Sequence, residues 1–379
     1  MGATNTYPVA PFAGPLSLTT VKDADLVKLR TMGFDFVRLP VDPGPFIVAT
    51  GTQKTALFTQ LTTFIKRLHA ADLKVMVDVH PATYQSDWKP ADIITDTTLP
   101  KFATYGDFLV QLARLLKDMP YDKIALEIMN EPQGVCKRTD GGPEWSVTQR
   151  RFWSKIRVAV PKLPLVVTGP CWSSVDGIIK LEPIYFDAAT LYDVHFYDPH
   201  EFTHQSLSWS ANPINLTSGL SYPYNSGNAA KTLLSSGVYQ AAQVPKLAPT
   251  TALQADLNNF LTRYYTVTKP DKAYITKRFA LVTAWATKNK VPAKNIIVGE
   301  FGAVRWLPSI EDGSRARWVA DVKDVAEASG FGWAVWDYDK VFGLVLDYPT
   351  QTLDTRLVEA LGMKVPAAAA TTTTTSTKK

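Results

Sequence analysis

Cysteine is almost missing from this chain, and so are runs of like charge. Its 379 residues include two cysteines, Cys136 and Cys171, with no CxxC pair and no Cys/His spacing. That argues against a zinc module or a disulfide-framework scaffold. Basic residues exceed acidic ones by a net charge of only +5 with no basic block, so no nucleic-acid surface is expected. No apolar run approaches the ~20 residues that span a bilayer, so no membrane is expected either. The opening MGATNTYPVAP has neither the basic nor the apolar region of a signal peptide. GxSxG, phosphate-loop, dinucleotide and HExxH signatures are also missing.

What is present is aromatic: 10 Trp, 15 Tyr and 17 Phe in a chain of ordinary 46% apolar content. They can fill a large core, or they can stack on flat apolar faces of a ligand. Short apolar runs alternate with helical periodicity. Helices are expected over 21–33, ending at Gly33, and over 55–73, 105–119 and 145–160. Strands are expected at 34–41, 74–80, 123–129, 163–169, 191–196, 295–301 and 332–337. Repeated strand–helix alternation implies a parallel sheet covered by helices. The α/β class follows, and with an eighth strand the sheet closes into a (β/α)8 TIM barrel. Only YPVAPF (7–12) offers that first strand, and its two prolines suit it poorly.

A single domain over 1–365 is expected, with a long loop insertion after the sixth strand, counting 7–12 as the first. The insertion includes SANPINLTSGLSYPYNSG (210–227), whose NLT matches an N-glycosylation pattern, and it leaves a strand C-terminus where it would wall a cleft. PAAAATTTTTSTKK (366–379) reads as a low-complexity tail or linker.

IALEIMNEPQG (124–134) brings an apolar strand directly to Asn130, Glu131 and Pro132, and NIIVGEFG delivers Glu300 in the same way. A carboxylate at the end of a buried strand is costly unless it is paired or used. Either glutamate alone could be a structural partner of Arg or Lys. Together they are the paired carboxyls of glycoside hydrolysis, one a proton donor and the other a nucleophile or base. Other strands end likewise: Arg38 in VRLP, His80 in VDVH, His195 and Tyr197 in DVHFY, and Trp336 in WAVWD. Six strands ending in groups of catalytic type are hard to assign to packing.

The ordered set VRLP, VDVHP, IMNEP, VHFY, VGEFG and VWDY resembles glycoside hydrolase family 5, the cellulase-type enzymes, over residues 20–345. The resemblance implies a retaining barrel hydrolase of β-linked polysaccharide or oligosaccharide, most often β-1,4-glucan, cleaved within the chain. Mannanases, xyloglucanases and β-1,3-glucan hydrolases share the same motifs and stay open, as do action from chain ends and a carbohydrate-binding barrel without catalysis. Glu131 would be the acid/base and Glu300 the nucleophile. Asn130 would bind the sugar 2-hydroxyl, Tyr197 and Arg38 would donate to Glu300, and His195 would contact the acid/base side. His80 would line the central sugar subsite, with Trp336 as its floor. No cofactor and no metal are implied. Retention requires the carboxyls to stand roughly 5 Å apart, against about 6.5–9.5 Å for inversion.

Outer signals are weaker. Trp172, Trp306, Trp209 and Trp88, with Tyr84, are candidate sugar-stacking residues or loop anchors. Trp145, Trp153 and Trp318 lie on helical segments and are expected to pack. His200 and His204, close to His195, lack a metal-ligand pattern. Cys136 and Cys171 follow adjacent strands, and are either a disulfide beside Glu131 or two buried thiols. The disulfide would fit a secreted or periplasmic protein. A monomer is expected.

Overall fold

The computed structural model describes residues 21–81, 88–132, 144–243, 251–339, 341–347 and 349–366. The expected first strand at 7–12, Tyr84, Cys136 and the tail lie outside the described residues. Seven strands form one parallel sheet in sequence order: β1 (Phe36–Val41), β2 (Lys74–Val79), β3 (Ile124–Glu127), β4 (Leu165–Thr168), β5 (Thr190–Phe196), β6 (Ile296–Phe301) and β7 (Gly332–Val335). The sheet curls into a nearly closed (β/α) barrel, each strand matching an expected one. The rings of Phe34 and Trp333, beside β1 and on β7, approach to 6.4 Å edge-on. A cavity of about 290 Å³, lined by residues of both strands, lies between them.

Parallel neighbours require long crossovers, and amphipathic helices supply them. Gly51–Ala70 buries Leu57, Leu61, Phe64, Ile65 and Leu68, one apolar stripe. Pro100–Leu116 starts on proline, which loses no hydrogen bond in a first turn. Asp23–Met32 stops at Gly33, whose φ of 114° suits glycine, with its N–H bonded back to Leu29 and Arg30. Lys272–Asn289 begins where the Asp271 carboxylate accepts the Tyr274 N–H at 2.8 Å.

Strand periodicity then sorts the barrel interior into layers, because alternate residues face the same way. The lowest is apolar: Met76, Ala125 and Val166 pack with Phe36, Leu191 and Ile297. Two residues further along the same strands stand Arg38, Asp78, Glu127, Thr168, Asp193 and Gly299. The layer above is the C-terminal rim, where barrel chemistry resides.

The insertion differs from expectation. It contains a helix, Ala229–Gln243, in addition to the irregular 210–227 segment. Ser and Gly interrupt its apolar pattern, which hid it from periodicity. The irregular segment is tied to the barrel through side chains. Leu220 N–H donates to Gln205, Tyr222 N–H to Ser314 Oγ, and Tyr222 Oη to Asp321 at 2.7 Å. Among the described residues, no helix is long and apolar enough to cross a membrane.

Candidate active site

β1 supplies the centre of the site. Arg38 is buried, and its guanidinium forks onto Glu127 with Nε at 2.8 Å and Nη2 at 3.0 Å. Nη1 donates to Glu300 Oε1 at 2.7 Å, and Nη2 also reaches Asn130 Oδ1 at 2.9 Å. Asp78 and Asp193 lie 3.2 and 3.7 Å from the same group. Burial works against the Arg38 charge, but the four carboxylates outweigh it and push its pKa well up, so it stays cationic. Burial drives the Glu127 carboxyl upward, with Arg38 opposing.

Beyond β3 the chain keeps pairing on both sides: Ile128 N–H donates to Val166 and Asn130 N–H to Val79. Glu131 then takes a φ of +42°, a left-handed backbone that a side chain adopts at a cost of ~1 kcal/mol or more. Backbone strain of this kind clusters at active sites, ligand clamps and switch regions. The Glu131 side chain is 29% exposed, whereas that of Glu300 is 5% exposed.

Both Glu300 oxygens are held, one by Arg38 and the other by Tyr197 Oη at 2.9 Å. Burial and the Glu300 charge push the Tyr197 phenol well up, so it remains a donor. His195 links the two glutamates. Its Nδ1 lies 3.0 Å from Glu131 Oε1 and 3.6 Å from Glu300 Oε2. An oxygen from Glu131 and one from Glu300 lie within 4.8 Å of each other.

Arg38 also orients the amide of Asn130. With Oδ1 turned to the guanidinium, Nδ2 donates to His80 Nε2 at 3.2 Å, while His80 Nδ1 meets Asp78 at 2.7 Å. Burial lowers the His80 pKa, but Asp78 and Glu300 together more than offset it and the net shift is upward. The His80 ring lies parallel to the Trp336 indole, 5° between planes and 5.6 Å between centroids.

The eight expected rim residues, Arg38, His80, Asn130, Glu131, His195, Tyr197, Glu300 and Trp336, therefore converge. The outer aromatics divide. Trp172 is 58% exposed at the centre of a left-handed run, Cys171 to Ser173. Ser173 anchors that run by accepting the His195 N–H. Trp209 stands exposed on the insertion. Trp88 is half-buried beneath the Lys101 ammonium, 5.7 Å away. Trp306, expected on the cleft wall, is instead buried 6.0 Å edge-on to Phe202; the core claims its indole, so it presents no face to a ligand. Trp145, Trp153 and Trp318 pack as expected, their indole N–H groups bonded to Thr168, Thr190 and Asp198. Cys171 is disulfide-bonded.

His200 and His204 stack at 3.9 Å, and burial pushes His204 down to about 3. Two triplets could in principle converge on a metal ion: Glu131, His195 and Glu300, and Glu127, Asp193 and His195. Arg38 stands against both, so a cation there meets a fixed positive charge.

Reading strand ends alone missed Asp78, Glu127 and Asp193. Each precedes a rim residue by two or four positions, and so faces the same interior.

Residues 5–341 match the cellulase family, glycosyl hydrolase family 5. Endoglucanase C of Acetivibrio thermocellus is 24% identical over 353 residues, covering 91% of this chain and 92% of that protein. Endoglucanase 3 of Fibrobacter succinogenes is 23% identical over 85% of this chain, which spans about half of it, 47%. Among solved structures, Thermotoga maritima Cel5A in complex with cellobiose superposes with a TM-score of 0.64 at 21% identity, over 90% of each chain. The cellulose synthase subunit Z of Clostridioides difficile does so with 0.62 at 20% identity, over 90% of this chain and 92% of that one. With the family match over most of the chain and the barrel it predicts, this protein belongs to the cellulases of glycosyl hydrolase family 5.

Proposed function

We propose that this protein is a retaining endo-β-1,4-glucanase, working by double displacement. The observation that carries the reading is the approach of Glu131 and Glu300 to within 4.8 Å. So close an approach of two carboxylate oxygens fits the roughly 5 Å gap of a retaining pair better than the gap of about 6.5–9.5 Å of an inverting one. Glu300 attacks the anomeric carbon while Glu131 protonates the departing glycosidic oxygen. In the second half Glu131 takes a proton from water, which displaces Glu300. Its partial exposure gives it access to both leaving group and water.

Arg38 and Tyr197 aim the nucleophile and spread its charge. Asn130, oriented by Arg38, faces the sugar 2-hydroxyl, a contact that strengthens at the transition state. Trp336, with its indole held parallel to the His80 ring, offers a flat face for the sugar whose bond breaks. Trp172 and Trp209 supply exposed indoles for leaving-group sugars, and Trp88 serves the opposite side. The catalytic unit is one domain ending before the Ala/Thr-rich tail. It acts as a monomer, secreted or periplasmic, consistent with the disulfide of Cys171.

The test is a reducing-sugar assay on carboxymethylcellulose, mixed-linkage β-glucan, xyloglucan and glucomannan, with Glu300→Ala as control. The reading expects a rapid fall in viscosity of the β-1,4-glucans and a first-formed β-anomer by NMR. Preference for xyloglucan or glucomannan would reassign the substrate. Silence on all four from folded protein would overturn the reading.

A further inference from the structure

Asp193, buried one layer below the rim on β5, has no part in the chemistry above, yet three observations tie it to the site. First, β6 carries a bulge: Val194 pairs with Val298, but His195 pairs with Glu300, so Gly299 is the extra residue. Bulges next to active sites re-aim side chains. Second, the Gly299 N–H donates to Asp193 Oδ1 at 2.7 Å. A Cβ on Gly299 would fall 2.2 Å from the Asp193 oxygens, so a glycine is required there. Third, Asp193 Oδ2 and His195 Nε2 face each other at 3.3 Å, and neither buried atom finds a hydrogen bond elsewhere. Buried polar atoms in that position complete each other.

We infer that Asp193 is a positioning residue for hydrolysis: it holds the Nε2–H of His195 and turns Nδ1 toward Glu131, so that imidazole and carboxyl share one proton. This rests on the roles of Glu131 and Glu300 proposed above. The proton passes from Glu131 to the departing oxygen in the first half of the reaction. In the second half the pair regains it from the attacking water, so the count closes over each turnover.

The charged groups around His195 fit this assignment. Asp193 faces it from β5, Glu131 from the end of β3 and Glu300 from β6. Arg38 of β1 contacts Asp193 and Glu300, Glu127 of β3 lies beside Asp193, and Tyr197 donates to Glu300. Burial lowers the His195 pKa, but Glu300 and Asp193 together raise it well above the ordinary imidazole value. The Asp193 charge therefore helps the His195–Glu131 pair keep its proton as pH rises.

Asp193→Asn isolates the effect. The amide keeps the volume and an acceptor for Gly299, but presents N–H groups to Nε2, which reverses the imidazole tautomer. The protein has five histidines, few enough for ¹⁵N-histidine NMR, with His195→Gln assigning the signal. In the wild type, Nε2 should stay protonated while Nδ1 titrates. In Asp193→Asn, the proton should sit on Nδ1, and the midpoint should fall by roughly 1–3 pH units. The alkaline limb of kcat/KM should move down with it. An unchanged His195 midpoint and alkaline limb in folded Asp193→Asn would overturn the inference, even if kcat fell. So would a wild-type spectrum with the proton on Nδ1, which needs no variant to fold. Absence of hydrolysis by the wild type would overturn the functional reading, and with it Asp193's part in the reaction, while the NMR titration would still report the Asp193–His195 coupling.

Discussion

Arg38→Lys keeps the positive charge at the centre of the barrel and removes the planar fork. The guanidinium makes two bonds to Glu127 at 2.8 and 3.0 Å, one to Glu300 at 2.7 Å and one to Asn130 at 2.9 Å. A lysine ammonium is a shorter point charge with three donors, and it cannot reproduce bidentate geometry. At least two of the four bonds are lost. Each hydrogen bond to a charged group contributes about 1.5–3 kcal/mol, partly recovered here by the retained charge, so a stability loss of about 2–4 kcal/mol is expected. Freeing one Glu300 oxygen and the Asn130 amide should lower kcat about 10²–10³-fold, as loss of a transition-state donor does. Urea denaturation at pH 7 and kcat on an aryl cello-oligoside read the two effects separately. Arg38→Met should be worse, because an unneutralised buried carboxylate costs about 3–5 kcal/mol. A folded Arg38→Lys enzyme within threefold of wild-type kcat would refute this account of Arg38.

Tyr197→Phe removes only the Oη donor to Glu300, so kcat on the same substrate should fall by about tenfold or more, the loss of one bond to a charge; an unchanged kcat would remove Tyr197 from the reaction. Asp42 caps Pro43–Val48 through the Gly44 N–H, and burial raises its pKa to about 6. A raised carboxylate pKa makes ionisation unfavourable in the fold, so stability should decline as pH rises from about 4 to 6, by about 3 kcal/mol in all. Asp42→Asn keeps the cap and should flatten that decline in denaturation profiles across the window; an equally steep profile would contradict it. Trp172→Ala should raise KM for polymer several-fold, through loss of about 1 kcal/mol of stacking, and leave hydrolysis of an aryl cellobioside unchanged. A matching loss on both substrates would assign Trp172 to loop structure instead.

All seven strands of the parallel sheet were legible in the sequence because each is a short apolar run bounded by helical periodicity, a pattern set by burial on both faces. The rim groups were legible for a related reason. A charged or aromatic group at the end of such a run stands out against it, as Glu131 and Glu300 do. Asp78, Glu127 and Asp193 were visible as charges in VDVH, ALEIM and YDVHF, but their meaning depended on which face turned inward. That follows from register across strands. The bulge at Gly299 shifts it, and so sets Glu300 rather than Gly299 opposite His195. Trp306 and Trp172 each follow a strand by a few residues and look equivalent in sequence. Phe202 covers the first, whereas a left-handed run lifts the second into solvent. The helix Ala229–Gln243 was hidden because its Ser and Gly residues blur the apolar repeat.

The sequence by itself determined the strand–helix alternation, the points where helices stop, and which residues stand at the strand ends. Those properties are written in local periodicity and in backbone preferences. Tertiary structure alone decided that one arginine would serve four carboxylates, that an oxygen of Glu131 would come within 4.8 Å of one of Glu300, and which tryptophans would meet solvent. Each of these depends on residues far apart in the chain that meet only once the sheet has curled, and the energy of a buried charge depends on what it meets there.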